Sequence, residues 1–156
     1  HHRRPTTLGI ITGAVAGLVA ITPACGFVSP MNAIWIGLGS ALLGFISVTF
    51  VKSKLGYDDT LDAFGVHGVG GLWGAIATGI FAQEAYGGFN GLLYGDATQF
   101  VTQIKAALIT VVYSFVVSWI LFKLVDLTMG LRVSEHEERI GLDLTQHKET
   151  GYTTLD

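Results

Sequence analysis

The chain has 156 residues, enough for one domain by length, and half of it is hydrophobic while only 13% is charged, against roughly 25% in an ordinary soluble domain. Its 21 glycines sit among long apolar runs, which excludes a disordered or collagen-like chain and points to a membrane protein of several helices. A net charge of −3 without a strongly basic patch argues against a nucleic-acid partner, and the single cysteine, Cys25, excludes an internal disulfide.

The start, His1-His2-Arg3-Arg4, has no signal-peptide pattern and reads as a tag remnant or a native basic loop. It opens abruptly, as though cut from something longer. Four stretches then follow that are each long enough to span roughly 30 Å of hydrocarbon. The first is about Thr6 to Cys25, closed by Pro23 and Gly26. The second is about Asn32 to Val51, with Lys52 and Lys54 beyond it. The third is about Thr60 to Ala82, starting after Asp58-Asp59, and the fourth is about Phe100 to Val125. The loop from Gln83 to Gln99 is glycine-rich and holds no Lys or Arg. The polar tail is Leu131 to Asp156. The expected fold is all-α, a polytopic membrane helix bundle, with residues 1–130 as the membrane part and 131–156 as the tail.

Basic residues give the orientation. Arg3, Arg4, Lys52, Lys54, Lys123, Arg132, Arg139 and Lys148 all fall on one side if the helices alternate, and only Lys105 falls towards the other. The N-terminus of this stretch, the loop between the second and third helices and the tail are therefore expected to be cytoplasmic. The loops around Phe27–Met31 and Glu84–Gln99 are expected outside. Small residues four apart, Gly13 and Gly17, Ser40 and Gly44, Gly70 and Gly74, Ala75 and Gly79, flatten helix faces so that neighbouring backbones come close.

The third helix carries the groups with chemistry. Asp58, Asp59 and Asp62 lie at its start, where carboxylates either complement the helix dipole and cap free N–H groups or draw a cation towards a vestibule. His67 stands eight residues beyond Asp59, about 12 Å deeper at about 1.5 Å per residue. An ionisable group at that depth usually faces a cavity or a substrate path. A neighbouring carbonyl would satisfy the imidazole. Otherwise its one donor and one acceptor, in the neutral form, suit a small polar molecule or a proton relay. No further His, Cys or carboxylate stands at ligand spacing within the membrane, so no metal or other cofactor is expected. Asp58-Asp59-x-x-Asp62 also matches a Mg²⁺-dependent diphosphate site, but the apolar helix adds neither further ligands nor basic residues for phosphate. No nucleophile elbow, phosphate-binding loop or Cys–His pair is present, so no enzyme is expected. Thr22-Pro23-Ala24-Cys25-Gly26 either simply ends the first helix or frees a carbonyl and the Thr22 hydroxyl to face a lumen.

Three segments together resemble a known family, the ammonium transporters of the Amt/Mep/Rh superfamily, in the form of a bacterial or archaeal Amt subunit. They are Asp-Ala-Phe-Gly-Val-His-Gly-Val-Gly-Gly at 62–71, Ala-Gly-Leu-Val-Ala-Ile-Thr-Pro-Ala-Cys-Gly at 16–26, and Lys-Leu-Val-Asp-Leu-Thr-Met-Gly-Leu-Arg-Val at 123–133 with the tail to Tyr152. The resemblance implies a homotrimer in the cell membrane, with about eleven helices per subunit in two inverted repeats and a final long helix. This chain would supply about the last four. It further implies that His67 is the second of two pore histidines and that Ala63 is a small apolar pore-lining position. Thr22 would lie near the lumen, and Asp59 would be a buried aspartate holding the inner half of the pore, with Asp62 beside it. The first pore histidine, the aromatic gate and the outer recognition tryptophan would belong to helices outside this sequence. The tail would meet neighbouring subunits and a PII-type regulatory protein. Ammonium or ammonia is the implied substrate and membrane lipid the surroundings. An ammonium sensor core and a truncated, non-conducting fragment remain as alternatives. The end at Asp156 without a signalling domain favours transport over sensing.

Overall fold

The computed structural model describes residues 6–151; His1, His2, Arg3, Arg4 and Tyr152 lie outside the described residues. Contacts divide the chain into two units, one running to Val111 and the other from Val112. All regular structure among the described residues is helical. Four helices are long and apolar enough to cross a membrane: Thr7–Ala24, Pro30–Leu55, Phe64–Phe81 and Ala97–Thr128.

In the first unit, α1 (Thr7–Ile21) begins where the Thr6 hydroxyl accepts the Gly9 N–H at 3.1 Å. It ends in a tight turn, Thr22–Ala24, at Pro23. The Pro30 that opens α2 (Pro30–Ile46) lacks an N–H where a helix has no use for one. The Ser29 hydroxyl caps the same helix by accepting from Asn32 N–H at 3.4 Å. A π-helical turn, Ser47–Val51, continues into α3 (Lys52–Leu55), which stops at Gly56 with φ +64°. The third span is a second π-helical turn, Phe64–Gly68, followed by α4 (Val69–Phe81). After it come α5 (Glu84–Gly87), a short turn at Leu92–Tyr94, and α6 (Ala97–Thr128), whose first N–H groups at Thr98 and Gln99 are held by the Asp96 carboxylate.

The third span begins later than the sequence suggests. A helix from Thr60 would need Asp62 in the right-handed region, but Asp62 has φ +54°. Thr60 and Leu61 instead form a turn closed by the Asp62 N–H on the Asp59 carbonyl at 3.1 Å. The second span is correspondingly longer than Asn32–Val51, because its π-helical turn carries the chain on to Leu55.

Packing in this unit runs backbone to backbone. A Cβ on Gly74 would collide with the Ala20 carbonyl of α1. One on Gly70 would stand 3.2 Å from the Ser40 hydroxyl of α2. Ser40 itself is fully buried and donates to the Ala16 carbonyl at 2.7 Å, tying α2 to α1. A Cβ on Gly39 would collide with the Trp73 indole, whose N–H reaches the Ile36 carbonyl at 2.9 Å. Ala20, Ala24, Val28, Ile36 and Ala77 form the apolar core between these contacts. At the end away from Asp59, the Asn32 amide bridges the Phe81 carbonyl and the Tyr94 hydroxyl. The start of α6 approaches α4 at Gly79, where a Cβ would stand 3.0 Å from the Cα of Phe100.

In the second unit, α7 (Glu135–Ile140) follows Ser134, whose hydroxyl accepts the Glu137 N–H while the Glu137 carboxylate accepts the Ser134 N–H. This reciprocal cap satisfies two free donors at once. Arg132 grips both oxygens of Glu138, and Arg139 pairs with Glu135 at 2.6 Å. The Asp143 carboxylate holds the Gly151 N–H at 2.9 Å. The Ser134 hydroxyl and backbone hold the Glu137 carboxyl below its ordinary range, and the Arg132 guanidinium does the same for Glu138. Hydrogen bonds from backbone, first Gly151, lower Asp143.

Two outcomes follow from these contacts. Gly74→Ala should destabilise the protein by about 1–3 kcal/mol, the usual range for overpacking, visible as a lower thermal midpoint in detergent. For the tail, a carboxyl lowered by folding stabilises above its unfolded pKa and ceases to do so as pH falls through the folded value. A spin label at Leu144→Cys, in a Cys25→Ser background, should thus be equally restrained from pH 7 down to the ordinary carboxylate range, about pH 4. Its mobility should rise as the pH drops further.

Candidate functional site

His67 owes its position to the π-helical turn. The Val69 N–H bonds the Phe64 carbonyl five residues back, so the turn accommodates one residue more than an α-helical turn. In a continuous α-helix His67 would precede Gly70 and Gly74 by three and seven residues, and so share their face against α1. In the structure Val66, four residues before Gly70, fills that face at 5% exposure, and His67 lies exposed on the wide turn. Such turns inside helices occur often at functional sites.

A neighbouring π-helical turn supports this one. In Ser47–Val51 the Lys52 N–H bonds the Ser47 carbonyl. A Cβ on Gly65 would stand 2.6 Å from Val48 Cγ2 and 3.4 Å from the Ser47 hydroxyl. Position 65 therefore has no room for a side chain, and the two wide turns interlock.

Around His67 are two clefts. One, of about 260 Å³, is lined by His67 and Ala63 together with Leu61 and the α1 residues Thr12 and Val15. The other, of about 410 Å³, runs from His67 past Gly71 and Ala75 to Gln103 and Thr110 of α6. Their walls are mostly apolar. Among the described residues no hydrogen bond to the imidazole is formed.

The acidic residues stand just before this turn. Asp59 is half-buried, and its two carboxylate oxygens accept the Ala63 and Phe64 N–H groups, each at 2.9 Å. Asp62 does not cap the helix; its carboxylate pairs with Lys52 at 2.7 Å. The fold thus brings His67, Ala63, Asp59 and Asp62 onto one short segment. Thr22 lies apart, ten residues or about 15 Å along α1 from Thr12, with its hydroxyl donating to the Leu18 carbonyl at 2.9 Å. No group of three or more metal-ligating side chains forms among the described residues. Two contributors escaped the sequence reading: Gly65, whose need for space is set by another span, and Lys52, which looked like a topological charge.

A profile of the Ammonium Transporter Family matches residues 1–152. The chain belongs to that family. An ammonium transporter of Bacillus subtilis is 50% identical over 153 residues, covering 97% of this chain and 38% of that protein. The ammonium transporter Amt1 of Archaeoglobus fulgidus is 48% identical over 151 residues, covering 96% of this chain and 38% of that one. Among solved structures, the crystal structure of Saccharomyces cerevisiae Mep2 superposes with a TM-score of 0.81 at 34% identity, covering 93% of this chain and 34% of Mep2. This family member spans a little over a third of the length of these relatives. With its four apolar helices it is a multi-pass membrane protein, and its family is one of transporters.

Asp59→Ala should remove both caps at the start of the third span and lower stability by about 1–2 kcal/mol, read as loss of folded protein in detergent chromatography. Asp59→Asn should lose less, since its amide oxygen still accepts one N–H.

Proposed function

We propose that this chain forms part of an ammonium transporter subunit and that His67 and Ala63 line its conduction path. The observation that carries this reading is an apolar cleft against α1 lined by two exposed residues, His67 on the wide turn and Ala63 just before it, in a member of this family. Transferring an ion from water into an apolar lumen costs several kcal/mol. Ammonium escapes that penalty by leaving a proton behind and crossing as ammonia. A neutral imidazole accepts a hydrogen bond from the substrate or relays its proton without adding a fixed charge to the lumen. K⁺ has no proton to release and is rejected.

The remaining assignments rest on the same reading. Thr22 lies near the outer end of the path, while Asp59 and Asp62 shape the inner vestibule. Residues 1–130 belong to the membrane core and 131–156 to a cytoplasmic regulatory tail. Both ends of this stretch lie on the cytoplasmic side of the cell membrane in this reading, which the charges of Lys52, Lys54 and the tail support. The intact protein is a homotrimer in lipid, and the tail with α7 is the surface for neighbouring subunits and a PII-type regulator.

His67→Leu in the intact subunit, reconstituted in liposomes, tests the central claim. Ammonium flux should fall by about a hundredfold, the lower end of what a positioned proton-transfer group contributes. Trimer assembly should be unchanged. Unaltered flux and ion selectivity would overturn the assignment of His67 to the path.

A further inference from the structure

Lys52 makes two specific bonds at the end of the second span. Its Nζ donates to the Asp59 carbonyl at 2.6 Å and to the Asp62 carboxylate at 2.7 Å. Both acceptors belong to the turn that precedes the wide turn of His67. The same Asp59 carbonyl accepts the Asp62 N–H, and the Asp59 carboxylate holds the Ala63 and Phe64 N–H groups. One ammonium group therefore connects the first residue of α3 to the residues that start the third span. The Lys52 and Asp62 side chains are only 29% and 31% exposed, so this pair is less screened than an ordinary surface ion pair.

The geometry points to Lys52 as the positioning residue for His67: its ammonium group clamps the Asp59–Asp62 turn and thereby sets the rotation of the π-helical turn. The clamp acts against a specific alternative. Asp62 is held at φ +54°, in the left-handed region that residues other than glycine seldom adopt. Released from Lys52, Asp62 relaxes to the right-handed region and the helix extends back towards Thr60. A regular helix there absorbs the extra residue of the wide turn and swings His67 towards the face of Gly70 and Gly74. The role of this positioning in ammonium passage rests on the transport reading above; the clamp itself does not.

The test uses the intact subunit with Lys52→Met, which keeps the stem and removes the donor, and with Lys52→Arg, which keeps a charged donor. In Lys52→Met, the Ala63 and Phe64 amides should exchange hydrogen about tenfold faster, as expected for loss of a charge-assisted bond. The amides of Val69–Phe81 should not change, which separates a local release from general destabilisation. Carbethoxylation of His67 by diethyl pyrocarbonate, followed by mass spectrometry, should slow as the imidazole turns towards α1. Ammonium flux should fall by about tenfold to a hundredfold, as for a displaced reactive group. Lys52→Arg should stay close to the parent in all three measurements.

Unchanged exchange at Ala63 and Phe64 in Lys52→Met overturns the clamp. Faster exchange with His67 carbethoxylation and flux both unaltered overturns the positioning role. If Lys52→Met does not fold, Lys52→Gln replaces it, because its shorter neutral side chain suits the half-exposed position while removing the charged donor, and the same outcomes apply. If the unmodified subunit moves no ammonium, the transport reading fails; exchange and carbethoxylation then decide the clamp alone.

Discussion

The contact between Gly74 and the Ala20 carbonyl is the constraint on which the first unit depends. Within hydrocarbon, apolar side chains gain little by leaving lipid for protein, so helices associate through close van der Waals fit and internal hydrogen bonds. Backbone contact at this point brings α1 and α4 near enough for Gly70 to meet Ser40, and for Ser40 to reach the Ala16 carbonyl. Trp73 then packs against Gly39 and closes the third side of the triangle on Ile36. The core is correspondingly small in side chains: apart from Ile36, its most deeply buried apolar members are alanines. Stability in this unit comes from fit between backbones, with few large side chains interlocked.

That close fit bears on the irregular turn that carries His67. A face built from Gly70, Gly74 and Ala77 has no room for an imidazole. A regular helix would direct His67 to that same face. The π-helical turn resolves the conflict by placing Val66 inwards and His67 beside Ala63 in an open cleft. Interlocking with the Ser47–Val51 turn through Gly65 then gives the irregularity a fixed seat in the fold.

Much of this was legible in the sequence. The four spans follow from uninterrupted apolar runs, with Thr6 opening the first and the glycine-rich loop closing the third; the second opens at Pro30, two residues before the Asn32 expected. Family membership followed from the combination of the segment at 62–71, the break at 16–26 and the tail. His67 stood out as the ionisable group within an apolar helix. The start of the third span was not legible, because Asp62 has its left-handed backbone where Lys52, ten residues earlier, meets the turn. The π-helical turns were hidden for a related reason. An extra residue in a helix leaves no local mark in Ser-Val-Thr-Phe-Val or Phe-Gly-Val-His-Gly; it shows only when the faces on either side must meet different neighbours.

The backbone of Asp62 also constrains which side chains this segment accepts. An ion pair on regular structure exchanges its partners readily, acid for base and base for acid, through a neutral intermediate. Here the exchange is blocked on one side. Position 62 favours glycine, asparagine or aspartate, and a lysine there meets a backbone penalty of about 1–2 kcal/mol before any charge is considered. Glutamate meets the same penalty, so even the conservative acidic replacement is disfavoured. The order of charges in this pair is therefore set by backbone geometry: a basic side chain fits the regular helix at position 52, and an acid or its amide fits the left-handed backbone at position 62.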